Sequence, residues 1–400
     1  MASTSIAIAY DCLYPFTTGG GERQYRGFAE ALVDEGRRVD YLTARQWDDQ
    51  SPAATERFRV VPVTGRLNLH DADGVRRTPA ALAFAWGLFR ALVRRRRAYD
   101  AVIVSGLPVL NVFAARAALA GSGTKIVVDY LEVWGRRQWI EYAGRMTGGL
   151  AWMLQRLAIA VTPIATCHSQ LTARRLRSEG LRSEPLVSPG LIDAGPATDR
   201  VSPAARPPYV VYAGRHIPDK RVESLPAAVE SARKRVPDLR LVILGNGPST
   251  PAVAQATHGR DWITMPGFVS EDRLHELMGE AACLVNPSRR EGYGLVVVEA
   301  SAYGTPVVLV ADEGNAATEL ITADTNGFVA SSADADDLAD AIVRAVEGGL
   351  PLRARTREWY EDAVRTRTIT RTVGNILTAL DRAHPDSSRG TVDDRKETAA

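Results

Sequence analysis

A chain of 400 residues with 45% hydrophobic and 24% charged side chains has the composition of a soluble globular protein and is too long for one compact core. Two domains of roughly 180 residues each suit it better. A formal net charge of only +2 excludes the global basic field that nucleic-acid binding uses. Cys12, Cys167 and Cys283 are too far apart to outline a disulfide frame or a zinc site, and a reducing cytoplasm is the simple inference.

The chain opens on a short apolar strand at 5–10 with no basic segment before it, which reads as a first strand and not a signal peptide. No run reaches about 18 clean apolar residues, the length a bilayer span needs. Residues 150–164 come nearest, and Gln155 and Arg156 interrupt them. Gly19-Gly20-Gly21-Glu22 follows, then a helix over 22–36 with Phe28, Leu32 and Val33 on one face, then a strand over 39–42. Consecutive strand–helix–strand units of this kind build a parallel sheet. The glycines could cradle phosphate, and Asp40 stands twenty residues after Gly20. A dinucleotide fingerprint nevertheless needs its glycines directly after the strand, whereas eight residues intervene here. A flexible turn without a ligand is the alternative.

A helix over 80–97 ends in Arg94-Arg95-Arg96-Arg97. Cations in a last turn complement the helix dipole; the sharper alternative is a face touching anionic lipid. Strands follow over 101–105 and 126–129, the second running into Tyr130-Leu131-Glu132-Val133-Trp134-Gly135. A strand over 162–169 approaches His168, and a helix spans 170–179. Residues 194–208, rich in Pro, Ala and Ser, form a linker.

The second half opens with a strand ending at Gly214. Arg215 and Lys220 lie in the loop at its C-terminal end, where open α/β sheets bind ligands. A strand over 239–244 and another at 263–265 lead to Pro266-Gly267-Phe268-Val269-Ser270 and a helix over 271–278. The densest signal comes next: a buried strand at 281–285, the turn Asn286-Pro287-Ser288-Arg289-Arg290-Glu291-Gly292-Tyr293-Gly294, and an apolar helix over 295–303. A strand, a glycine-containing turn and a helix start make an anion seat, because the first helical N–H groups have no internal partner. Glu291 and Glu299 bracket that seat, and carboxylates accept hydrogen bonds from hydroxyls. A phosphate seat with a hydroxyl reader on each side matches a nucleotide sugar; two solvated glutamates on a surface turn are the alternative. A strand over 306–310, a turn at 326–329 and helices over 334–346, 352–365 and 369–383 complete the chain before a polar tail, expected to be disordered. The acidic pairs Asp71-Ala72-Asp73 and Asp334-Ala335-Asp336 do not end apolar strands and read as structural, and the histidines lack metal-ligand spacing.

Glu291, seven intervening residues and Glu299, with Gly292-Tyr293-Gly294-Leu295 between and Glu299-Ala300-Ser301-Ala302-Tyr303-Gly304-Thr305-Pro306 after them, resemble the EX7E motif of retaining glycosyltransferases of the GT-B fold, family 4. The resemblance runs over almost the whole chain and is strongest across 210–330. It implies an α/β protein with two Rossmann-like domains facing across a cleft. The N-terminal acceptor-side domain would span 1–193, the linker 194–208 and the donor-binding domain 209–362, with a helix at 363–384 crossing back onto the first domain and a tail at 385–400. It also implies transfer of a sugar, with retention, from a nucleotide diphosphate sugar (UDP favoured) to an acceptor hydroxyl. No metal or other cofactor is implied; with no second carboxylate identified beside the sugar, front-face attack is favoured over a covalent intermediate. Carried over residue by residue, Glu291, Arg215, Lys220 and Glu132 form the catalytic set. Gly20, Gly21, Phe268, Val269, Gly292, Tyr293, Gly294, Leu295, Val296 and Glu299 join Arg215, Lys220 and Glu291 as donor contacts. The acceptor would be a small molecule, glycan or lipid, and nucleic acid would not be a partner. The location would be cytoplasmic; a peripheral membrane contact through Arg94 to Arg97 is the alternative to a plain helix-end charge run.

One position departs from that family. Many members carry a histidine at the strand end facing the donor sugar, and the corresponding residue here is Leu131, which cannot donate a hydrogen bond. Glu132 then supplies the polar contact, or the alignment is off by a residue, or sugar recognition or turnover differs. The rival readings are a donor-binding protein with little turnover and a dinucleotide-dependent oxidoreductase.

Overall fold

The computed structural model describes residues 4–17, 19–48, 57–69, 76–192 and 201–382. The Asp71-Ala72-Asp73 pair, residues 194–200 of the expected linker and the tail lie outside them. Alternating strands and helices build two parallel sheets. The first contains β1 (Ser5–Ala9), β2 (Arg38–Ala44), β3 (Arg59–Thr64), β4 (Ala101–Ser105), β5 (Lys125–Tyr130), β6 (Ile164–Cys167) and β7 (Leu186–Val187), in the spatial order β3-β2-β1-β4-β5-β6-β7. The second contains β8 (Tyr209–Ala213), β9 (Arg240–Leu244), β10 (Ile263–Gly267), β11 (Cys283–Asn286), β13 (Val307–Val310) and β15 (Gly327–Ala330), in the order β10-β9-β8-β11-β13-β15. Two short strands, β12 (Arg290–Glu291) and β14 (Gly314–Asn315), pair as a separate ribbon. β1 and β4 are buried along their whole length, because helices cover both faces of a parallel sheet; this is why they read as unbroken apolar runs.

In both sheets the strand order reverses beside the first strand, between β1 and β4 and between β8 and β11. Diverging crossovers open a crevice there at the C-terminal strand ends, and the two crevices face one another. The helix after β1 is Gly20–Asp34, two residues earlier than the sequence suggests, so Gly20 and Gly21 lie in its first turn. Strand β3 and the helices Leu110–Ala118, Arg136–Ala143, Arg145–Ala160, Leu225–Arg233 and Thr250–Thr257 have no counterpart in the sequence reading.

The return to the first domain begins at Arg367, whose carbonyl accepts from the Ile192 amide at 3.0 Å, and not at 363. Helix Gly349–Thr366 still belongs to the second domain, where the buried Arg353 donates to the carbonyls of Ala281 at 2.6 Å and Ser202 at 2.7 Å, burial pushing its pKa down to about 10. Helix Ile369–Arg382 then lies on helix Gly20–Asp34. Ile369 N–H donates to Ile192 O at 3.1 Å, and Thr372 Oγ1 donates to Gly190 O at 2.6 Å. Val373, Ile376, Leu377 and Leu380 are buried, each worth about 1.5–3 kcal/mol in removal from water, so this helix is a fixed strap between the domains.

Candidate active site

The turn after β11 is braced from its own domain. Asn286 Oδ1 accepts from the Ser288 amide at 3.2 Å, Arg221 Nε donates to Pro287 O at 2.7 Å, and the Arg289 amide donates to Asp219 O at 2.8 Å. Arg290 Nη2 donates to both carboxylate oxygens of Asp219 at 2.6 Å, a charge-assisted contact stronger than a neutral hydrogen bond. Asp219 and Lys220 share the short 3-10 turn Pro218–Lys220 after β8, so the loops after β8 and β11 are tied into one unit. Within it, Glu291 accepts from Lys220 Nζ, from Asn286 Nδ2 at 2.9 Å and from Ser288 Oγ at 3.1 Å. Burial works against the Glu291 charge, but Lys220 and these hydrogen bonds outweigh it and hold the carboxyl below its usual range.

Gly294 precedes helix Leu295–Ala302 with φ +97°, in the left-handed region, and a Cβ there would meet Ala317 Cβ at 2.5 Å. Only glycine fits this cap. Among the described residues nothing accepts from the Leu295 and Val296 amides, so the helix start points two free donors and the positive end of its dipole into the cleft. The start of helix Gly20–Asp34 faces it, and a Cβ on Gly20 would stand 3.5 Å from Leu295 Cδ1. Two helix N-termini, one from each domain, therefore meet at one point.

The opposite wall is the strand end after β5. A Cβ on Gly292 would fall 2.5 Å from Leu131 O and 3.0 Å from Glu132 Cγ, and one on Gly21 would fall 3.3 Å from Leu131 Cδ1. Leu131 thus packs between the two glycine turns, where the family's histidine would stand. Glu132 Oε2 accepts from Trp134 Nε1 at 2.7 Å. Burial raises the Glu132 carboxyl above its usual value; the Trp134 hydrogen bond opposes this, and the Glu291 charge adds to it. Two carboxylates from opposite domains are thereby pushed apart, Glu132 upward and Glu291 downward, a pattern associated with distinct roles in chemistry.

Arg215 is exposed and makes no ion pair among the described residues, and its charge reaches Cys12 of the facing domain. Glu299 is not free: it pairs with Arg23 from the first turns of the facing helix. A cavity of about 310 Å³ opens beside that pair, bordered by Gln24, Leu295 and His275. Phe268 is exposed beyond the end of β10 with Val269 half-buried beside it. Tyr293 departs from the expectation. Its side chain is buried, with the charge of Arg367 and the Leu191 backbone near its hydroxyl, so it serves the junction between the domains and only its backbone remains for a ligand.

Several residues of the site escaped the sequence reading. Arg290 stacks over Trp134 at 4.4 Å, and Trp134 packs with Trp139 and Tyr142 at centroid distances of 4.9 and 5.0 Å. Glu319 of the second domain accepts from the Gln170 and Leu171 amides at 2.7 Å each, capping a helix of the first. Below the cleft floor, Asp129 accepts from Thr166 at 2.6 Å and from Gln24 and Tyr25 at 2.9 Å, and lies 2.8 Å from His168. Burial would raise Asp129, but His168 and these donors hold it low, and the network fixes the helix that carries Arg23. Only the strand-end His168 gave any signal in one dimension.

Two facing parallel-sheet domains, with helix starts, a lysine, an arginine and paired carboxylates meeting in the cleft, define the GT-B architecture. The family profile described as glycosyl transferases group 1 matches residues 197–361, and a glycosyl transferase 4-like domain profile matches residues 19–190. The chain belongs to this glycosyltransferase family. It is 29% identical over 248 residues to the GDP-mannose-dependent alpha-(1-6)-phosphatidylinositol monomannoside mannosyltransferase of Mycobacterium tuberculosis, covering 56% of this chain and 63% of that protein. It is 32% identical over 143 residues to the alpha-D-kanosaminyltransferase of Streptomyces kanamyceticus, covering 35% of this chain and 36% of the relative. The chain thus spans less than two thirds of the length of these curated relatives. Sucrose-phosphate synthase from Thermosynechococcus elongatus shares the fold with a TM-score of 0.74 at 19% identity, over 95% of this chain and 100% of that one. Anabaena HepE in complex with UDP and glucose gives 0.71 at 15% identity, over 95% and 100% of the two chains.

Proposed function

We propose that this protein is a retaining glycosyltransferase that moves a hexose from a nucleotide diphosphate sugar to an acceptor hydroxyl, without a metal. The observation that carries the reading is the meeting of two helix N-termini at Gly20 and Leu295, with Lys220 held by Glu291 and Arg215 exposed in the loop after β8 of the same domain as Leu295. Expelling a nucleoside diphosphate builds negative charge on phosphate oxygens, and free amides, helix dipoles and fixed cations stabilise it where it forms. Phe268 and Val269 read the base, and Glu299 takes the ribose hydroxyls once Arg23 releases it. Glu291 orients the sugar while it holds Lys220 in place, and Glu132 meets the sugar from the facing wall. The acceptor attacks from the front face, and the departing phosphate takes its proton. Closure of the cleft keeps water from the donor.

UDP is the nucleotide favoured from the resemblance. The curated mannosyltransferase, named for GDP-mannose and a phosphatidylinositol acceptor, supports GDP-mannose and a lipid-borne hydroxyl as the second donor and acceptor classes. A thermal-shift panel of UDP, GDP and dTDP, followed by transfer assays with the matching sugars, tests the reading. A ligand at a hundred times its dissociation constant adds about 2.7 kcal/mol, and no shift with any of the three would overturn it. The alternative of a donor-binding protein with little turnover rests on Leu131; donor binding with no product on any acceptor would favour it.

A further inference from the structure

The outer face of the first domain carries two apolar stripes that no described residue covers. On helix Arg145–Ala160, Met146, Leu150, Met153 and Leu157 are 89%, 58%, 63% and 54% exposed. Their spacing of four, three and four residues places them along one side of the helix. On helix Thr78–Arg94, Leu82, Trp86 and Val93 repeat the pattern and are also exposed. The opposite sides of these helices, Ala158 and Ile159 on one and Phe84, Leu88 and Leu92 on the other, share a core cluster with Val104 and Val128 of the sheet. Helix Leu110–Ala118 packs against both. The two helices therefore lie in one layer and turn their stripes outward together. Scattered exposed apolar residues are ordinary; stripes on two helices that flank Leu110–Ala118 in one layer mark a contact surface.

Charge selects the occupant. Residues 76–97 contain seven arginines and no acid, and residues 136–160 contain four arginines against Glu141. Arg90, Arg94, Arg145 and Arg156 are exposed on these helices and Arg77 and Arg136 beside them, Arg156 also lying 3.8 Å from Glu179. The four-arginine run is not the centre of this surface. Arg95 turns to Asp40 at 3.9 Å and Arg96 donates to the Ala120 carbonyl, at the end of the sheet away from the cleft. An apolar face a few residues wide with arginines along its flanks fits the interface of an anionic bilayer, where methyl groups enter the acyl boundary and guanidinium groups stay at the phosphates.

The same helix is wired to the cleft. Gln155 Nε2 donates to Trp134 O at 2.7 Å, and Gln155 Oε1 accepts from the Trp134 amide at 3.2 Å and from Trp139 Nε1 at 3.1 Å. Trp134 in turn donates to Glu132. We propose that the face of helix Arg145–Ala160, aided by helix Thr78–Arg94, docks on an anionic membrane and sets the Glu132 wall of the cleft toward it. This deepens the reading of a lipid-borne acceptor but does not depend on turnover.

The test is co-sedimentation of the full chain with vesicles of phosphatidylcholine alone and of equimolar phosphatidylcholine and phosphatidylglycerol. The wild type should partition to the anionic vesicles, and added salt should weaken binding. Substituting Met146→Ser, Leu150→Ser, Met153→Ser and Leu157→Ser together should reduce partitioning at least about tenfold, the scale expected for losing several buried methyl-bearing groups. Arg136→Gln, Arg145→Gln and Arg156→Gln should reduce it on anionic vesicles with little change in melting temperature. Nucleotide-induced thermal shifts should persist in both variants, so their loss in the wild type would sink the donor reading separately. Equal partitioning of wild type and serine variant, or no binding by the wild type, overturns the proposal. So does a wild-type dimer that the serine variant converts to monomer in light scattering, which would assign the stripe to a second copy.

Discussion

Replacing Lys220 by methionine removes an ammonium from a carboxylate that the fold has already buried. The Lys220 and Glu291 side chains are 19% and 15% exposed, so the pair is not a screened surface contact. Removing one partner of a buried pair costs about 3–5 kcal/mol. Glu291 keeps its hydrogen bonds from Asn286 at 2.9 Å and Ser288 at 3.1 Å, which reduces the expected loss to about 2–3 kcal/mol. For a domain of this size each kcal/mol moves Tm by about 2–4 °C, so calorimetry at pH 7 should find a fall of about 4–12 °C. The depressed Glu291 pKa means that its charge contributes stability above the ordinary carboxylate value, about 4.3. That contribution is lost as pH falls through the depressed value. Without Lys220, burial pushes the Glu291 pKa up. The deficit of Lys220→Met is then greatest near neutrality and shrinks as acid neutralises the carboxyl. Adding Glu291→Gln to Lys220→Met should recover most of the lost stability. A Tm loss of the same size at every pH, or a double variant no better than the single, refutes this account.

Gly292→Ala places a methyl group 2.5 Å from Leu131 O, a backbone atom that cannot swing aside, so the domains close imperfectly. Transfer should fall about a hundredfold, the scale of an ångström's misplacement, while Tm changes little; unchanged kcat/KM would count against this geometry. Arg23→Ala frees Glu299 from an exposed pair worth about 0.2–1 kcal/mol, so calorimetric UDP or GDP binding should tighten by up to about fivefold. Weaker binding in that variant would show that Arg23 itself holds the nucleotide. Glu299→Ala should weaken binding of ribonucleotides more than of their 2′,3′-dideoxy analogues, and equal losses would remove the ribose role.

Much of the architecture was legible in one dimension, because parallel strands buried on both faces leave unbroken apolar runs that alternate with amphipathic helices. Elements that lacked this contrast escaped: β3, at a sheet edge, and the short helix Arg136–Ala143, which buries no residue fully. In the site, the turn from Asn286 to Gly294 was visible because a strand, glycines and a helix start stand next to one another in the chain. The facing residues were not, since Arg23 and Glu299 are 276 positions apart and Gln170 and Glu319 are 149.

Sequence alone determined that there are two nucleotide-fold halves and which loops lie at their ligand-binding ends, since local patterning sets strand, turn and helix. Only the tertiary structure decided what those loops meet. It paired Lys220 with Glu291 and Glu299 with Arg23, turned Tyr293 into the junction, and set Leu131 against Gly292. Each of these depends on how the closing strap Ile369–Arg382 fixes one domain against the other, and no local pattern encodes that relation.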